Sequence, residues 1–122
     1  MPNDLAKLKR IMRQANYLTT EDRSKSSALR DAWEIDKIRN YLRTGLVSFS
    51  YAKVNGDCRV ALGTTNPLLI PTAAVPKSPE IDIPRERLGL ITYYDLYASG
   101  WRSFYFYSLY QIDNVWPFNS EV

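Results

Sequence analysis

Histidine is absent from the 122 residues, and cysteine occurs once, at Cys58. Without imidazole the chain lacks the commonest general base near neutral pH and the commonest metal ligand, and one thiolate does not make a zinc site. A single cysteine also excludes an internal disulfide, on which small secreted domains usually depend, and points to the cytoplasm. No apolar run approaches the roughly 20 residues of a membrane-spanning helix. Met1 to Arg13 scatters lysine and arginine without the apolar centre of a signal peptide, so no membrane contact is expected. Glycine is sparse too: Gly63-Thr64-Thr65 lacks the spaced glycines and the lysine of a phosphate loop, and Gly89 and Gly100 stand alone. The carboxylates are scattered, and Asp95 is expected to pair with Arg102 across a hairpin. The reading is therefore a non-enzyme, with no catalytic residue, no metal and no cofactor.

What the chain does have is a folding composition, 45% hydrophobic and 13% aromatic with nine tyrosines, at the size of one domain. Its formal charge of +3 is unevenly placed. Residues 1–45 hold ten Lys/Arg against six Asp/Glu, and the remainder holds six against seven. The positive excess belongs to the N-terminal segment, where Lys9, Arg10, Arg13, Arg30, Lys37 and Arg39 form a candidate basic arm.

Two helices are expected there. Leu5, Leu8, Ile11, Met12 and Ala15 fall at helical spacing over Asp4 to Leu18. Thr19 with Asp22 resembles a capping box ahead of a second helix from about Glu21 to Arg43, which repeats apolar residues at Ala28, Leu29, Ala32, Ile35, Ile38 and Leu42. Gly45 is expected to end it.

The period then changes. Leu46 to Gly63 reads as a hairpin turning at Asn55-Gly56, the dipeptide suited to a two-residue type I′ turn. That turn puts Tyr51 opposite Val60 and Phe49 opposite Leu62. Phe49, Tyr51, Cys58, Val60 and Leu62 would then face the core, and Arg59 would sit on the opposite face among small residues, under either the helices or an anionic ligand. Thr64 to Arg87 carries five prolines and reads as a long loop. A second hairpin runs from Leu88 to about Tyr107 with Tyr93 opposite Phe104, and Leu109 to Trp116 supplies a helical turn and a closing strand. The expectation is α+β: a helical arm over 1–45, an SH3-like antiparallel β-barrel of about five strands over 46–116, and a frayed tail over 117–122.

The residues Phe49-x-Tyr51-x-Lys53-x-x-Gly56, Arg59-x-Ala61-x-Gly63-Thr64, Leu69-Ile70-Pro71, Tyr94-Asp95 and Gly100-Trp101-Arg102-Ser103-Phe104 come in an order that resembles a family of short proteins. These are described as SH3 β-barrel fold-containing and occur in gut anaerobic bacteria, their mobile elements and their phages. The resemblance, with Ser27-Ala28-Leu29 and Ala32-Trp33 preceding it, implies the barrel, a phage or mobile-element origin and, for a phage protein, the host cytoplasm. It implies no activity. A more distant similarity is to ligand-sensing domains with a Trp-Tyr-Leu signature, from which Trp101-Arg102-Ser103-Phe104 departs.

Three partner classes follow. Nucleic acid comes first: the basic arm would meet phosphates while the rings of Tyr51, Tyr94, Trp101 and Tyr105 stack on bases, with Arg102 alongside. A protein partner or a homo-oligomer would instead engage the apolar face of the first helix. A small anionic ligand or nucleotide signal would use Arg59, Thr64, Thr65 and Asn66.

Overall fold

The computed structural model describes residues 2–76 and 88–118. Helix α1 spans Pro2–Leu18 and α2 spans Lys25–Thr44. The N-cap of α2 is Ser24 rather than Thr19, its side chain accepting from the Ser27 amide at 3.2 Å. Thr19 is used differently: both its amide and its hydroxyl donate to the Ala15 carbonyl at the end of α1.

Five strands follow, β1 Gly45–Ala52, β2 Cys58–Thr64, β3 Leu90–Asp95, β4 Gly100–Tyr105 and β5 Leu109–Pro117, in the antiparallel order β4-β3-β2-β1-β5. A 3-10 turn, Phe106–Ser108, joins the two edge strands in sequence. The pairing of β5 with β1 is interrupted by two register shifts, which bend the strand around the core. Gly45 ends α2 as expected, yet for another reason. Its φ of −175° is ordinary extended backbone, and what requires glycine is β5, since a Cβ there would lie 2.0 Å from the Trp116 carbonyl oxygen.

The first hairpin differs from expectation by one residue. Tyr51 pairs with Arg59 and Phe49 with Ala61. The loop has three residues, not two: the Gly56 amide donates to the Lys53 carbonyl, the Lys53 amide donates to the Asp57 carbonyl, and Gly56 takes φ +91°. This is a type I turn closed by a glycine bulge. Side chains alternate with period two, so the single-residue change turns all of β2 over. Cys58 and Val60 are exposed, Ala61 and Gly63 are buried, and Arg59 lies on the side of the sheet that was expected to be purely apolar.

The second hairpin also differs, by two residues, with Asp95 opposite Gly100, Tyr93 opposite Arg102 and Ile91 opposite Phe104. An even shift preserves the faces, and Ile91, Tyr93 and Phe104 are buried as expected.

Phe49, Tyr51, Tyr93 and Phe104 form a continuous aromatic core with ring centroids 4.9–6.2 Å apart. Gly63 is part of this arrangement, because a Cβ there would stand 2.6 Å from the Tyr93 ring. Helix α2 packs Ala28, Ile35, Ile38 and Leu42 onto that aromatic side of the sheet, whereas Leu29 of the expected apolar repeat is exposed. The face of Ser48 and Ser50, the small-residue face expected to lie under either the helices or an anionic ligand, does not receive the helices. Helix α1 then lies on α2 through Ile11, Ala15 and Ala32.

Candidate interaction surface

The barrel residues expected to bind a ligand are engaged within the fold. Arg59 Nη1 stands 3.7 Å from Asp95 Oδ2, with the Asp95 side chain 1% exposed and that of Arg59 25% exposed. Asp95 therefore pairs with Arg59 and not with Arg102, because the real register puts Arg102 two residues further along β4. The other Asp95 oxygen accepts from the Tyr97 amide at 2.9 Å and shapes the β3–β4 turn. Next to this pair the Tyr51 and Tyr93 hydroxyls are 2.7 Å apart. Burial first, and then the Tyr51 hydrogen bond, push the Tyr93 phenol far above its ordinary range. The cluster is a satisfied polar centre inside an aromatic core.

Thr64 is fully buried, its hydroxyl donating to the Leu42 carbonyl at 3.1 Å while accepting from the Asn66 amide. Thr65 donates its amide to the same carbonyl, and the Asn66 side chain caps the 3-10 turn Pro67–Leu69 by accepting from the Leu68 amide. These three tie the end of β2 to the end of α2. Tyr94, expected as an exposed stacking ring, is 5% exposed and meets Trp101 edge to face at 5.7 Å. Trp101 Nε1 donates to the Ala74 carbonyl, holding the described part of the proline-rich loop on the barrel. Residues 77–87 of that loop, and 119–122 of the expected tail, lie outside the described residues. Arg102 is exposed and turns back to the Trp101 carbonyl. Of the other expected stacking rings Tyr51 is buried and Tyr105 is exposed, as are Tyr97, Tyr107, Tyr110 and Trp116.

In the basic arm, Arg10 pairs with Asp36 at 3.2 Å, and Arg39 donates to Gln14 of α1 and to the Leu90 carbonyl of β3, joining three elements. Lys37 sits 5.8 Å from the Tyr41 ring centroid. Lys9, Arg13 and Arg30 are exposed. Beside the arm, Arg23 pairs with Asp31 at 2.7 Å and covers the Tyr107 ring, whose hydroxyl donates to the same carboxylate. Partial burial, followed by this bond, raises the Tyr107 phenol to about 12.

The apolar face of the first helix, expected as a contact face for a protein partner, lines a groove between the two helices. Leu8 and Met12 of α1 and Leu29 and Trp33 of α2 line a groove of about 280 Å³, floored by Ile11 and Ala15. Met12 is 59% exposed and Trp33 40%, and Leu5, 59% exposed, extends the apolar strip one turn along α1. On the other side of Trp33 a second groove of about 300 Å³ brings together Lys7, Arg10, Lys37 and Arg43 with Glu34 and Asp36. Trp33 is thus a ridge between an apolar groove and a cationic one, with the Lys7 ammonium 5.3 Å from its ring centroid. The sequence held a signal for this. Leu29 and Trp33 are four apart and lie off the buried stripe of α2, and the apolar arc of α1 is wider than one helix–helix contact covers.

Five antiparallel strands in this order, with a 3-10 turn before the last, make a small SH3-like barrel. A family described as WYL_2, Sm-like SH3 beta-barrel fold, matches residues 35–110, and the chain belongs to that family. No curated protein and no solved structure matches the chain. The matched segment starts within α2, so α1 and the groove it forms lie outside it. Among the described residues no helix is long and apolar enough to cross a membrane, and no cluster of acidic or thiol side chains could hold a metal.

Proposed function

We propose that this protein is a non-enzymatic interaction module that docks a protein partner on the exposed face of α1 and α2. The observation that carries the reading is the contiguous strip of Leu5, Leu8, Met12, Leu29 and Trp33 left exposed beside a well-packed core. Apolar strips of this kind, rimmed by polar groups, are characteristic of surfaces that meet another macromolecule. The small-ligand reading loses its support because Arg59, Thr64 and Asn66 all have internal partners.

Nucleic acid is the second reading, favoured by the cationic groove of Lys7, Arg10, Lys37 and Arg43 around an aromatic ridge. Part of that charge is neutralised by Asp36, which pairs with Arg10, Glu34 lines the same groove, and Tyr94 and Trp101 are occupied in the barrel.

A photoreactive phenylalanine analogue placed at position 12, or at position 105 on the barrel, separates these readings in cells expressing the chain. The docking reading expects discrete protein adducts from position 12 and none from position 105. Nuclease-sensitive adducts at position 12 would replace it with the nucleic-acid reading. Adducts from position 105 alone would move the surface to the barrel.

A further inference from the structure

We infer that the α1–α2 groove seats an acidic amphipathic helical segment of the partner, an inference that rests on the arm being a protein-docking surface. The groove is apolar and bounded by two helices, an arrangement that can receive the apolar stripe of a third helix through residues at i, i+4 and i+7. Its rim fixes the sign of the partner's charge. Side chains three or four apart on a helix are neighbours. By that rule Lys9 stands beside Leu5 and Met12, Lys25 beside Leu29, and Arg30 beside Trp33, all of them exposed, while Lys37, also beside Trp33, belongs to the second groove. Lys25 itself lines the groove. The carboxylates reached by the same rule are Asp4 beside Leu8, and Asp36 beside Trp33, the latter already paired with Arg10.

A second copy of the chain is disfavoured by the same charges. An isologous contact through this face would place one cationic rim against another, and like charges brought together oppose association. A helix with carboxylates flanking its apolar stripe satisfies the rim and covers Met12 and Trp33 at once.

The test is a display library of amphipathic helical peptides, with apolar residues at i, i+4 and i+7 and flanking positions free to be acidic, basic or neutral. It is selected on the full chain, with the Met12→Glu chain as counter-target. The expected result is enrichment of net-acidic sequences whose synthetic peptides bind about tenfold more weakly to Met12→Glu and lose affinity as salt rises. Enrichment of neutral or basic sequences that still depend on Met12 would overturn the acidic partner and leave the docking surface standing. Enrichment indifferent to Met12→Glu, or no enrichment, would overturn both. A dimer in light scattering that Met12→Glu dissolves would assign the groove to a second copy and overturn the inference.

Discussion

In the barrel, polar groups that look available from the sequence are in use: Arg59 holds Asp95, Thr64 holds the end of α2, and Trp101 holds the loop. In the helical arm the reverse is true, and apolar groups that look like core are left uncovered at Leu5, Leu8 and Met12. The contrast follows from how much surface each element has to cover. The sheet and α2 enclose one aromatic core that needs its polar groups satisfied, since unmet hydrogen bonds are costly there. Helix α1 rests on only one side of α2, so the apolar arc of each helix exceeds their contact.

Substitutions should therefore behave differently in the two regions. The largest effect belongs to Phe49→Ala, which removes the ring shared by Tyr51, Tyr93 and Phe104 and should cost about 3–5 kcal/mol in denaturant unfolding. Asp95→Ala comes next, at about 3 kcal/mol, because it strands a half-buried guanidinium and frees the Tyr97 amide. If Asp95→Ala were as mild as Arg102→Ala, the buried pair would have no structural role. Trp101→Ala should cost about 2 kcal/mol and speed proteolysis of the loop around Ala74, measured by limited digestion.

A smaller effect is expected at high pH. The Tyr107 phenol has its folded value raised from 10.0 to about 12. The stability its bond to Asp31 contributes is thus complete below pH 10 and is lost as pH rises towards 12. Tyr107→Phe should lower the melting temperature slightly at neutral pH and flatten the alkaline decline. The smallest effect is Met12→Glu, within about 0.5 kcal/mol of the parent, as for an exposed helix position. A large loss there would mean that Met12 is core and would erase the contrast.

How much of this was legible in the sequence depends on the length scale of each signal. The helices, the strand count and the aromatic core could be read because hydrophobic periodicity averages over many residues. Turn geometry does not average. Asn55-Gly56 reads as a two-residue turn, but Gly56 closes a three-residue one, and the odd slip moved Cys58 and Val60 outward and Arg59 inward. In the β3–β4 hairpin the slip was even, so Ile91, Tyr93 and Phe104 kept their face while the partner of Asp95 changed. The site residues were harder still. Whether Thr64 or Tyr94 is free depends on contacts with α2 and Trp101 that no local pattern encodes. The groove between Leu8, Met12, Leu29 and Trp33 forms only once α1 and α2 are docked, although the spacing of these residues already sets them off the buried stripes.

The most direct test of the account compares one acidic helical peptide, selected on the full chain, by calorimetric titration against Met12→Glu and against Arg102→Ala. The account predicts that Met12→Glu weakens binding about tenfold at unchanged stability, while Arg102→Ala binds like the parent. Binding that survives Met12→Glu and falls with Arg102→Ala would contradict it, placing recognition on the barrel.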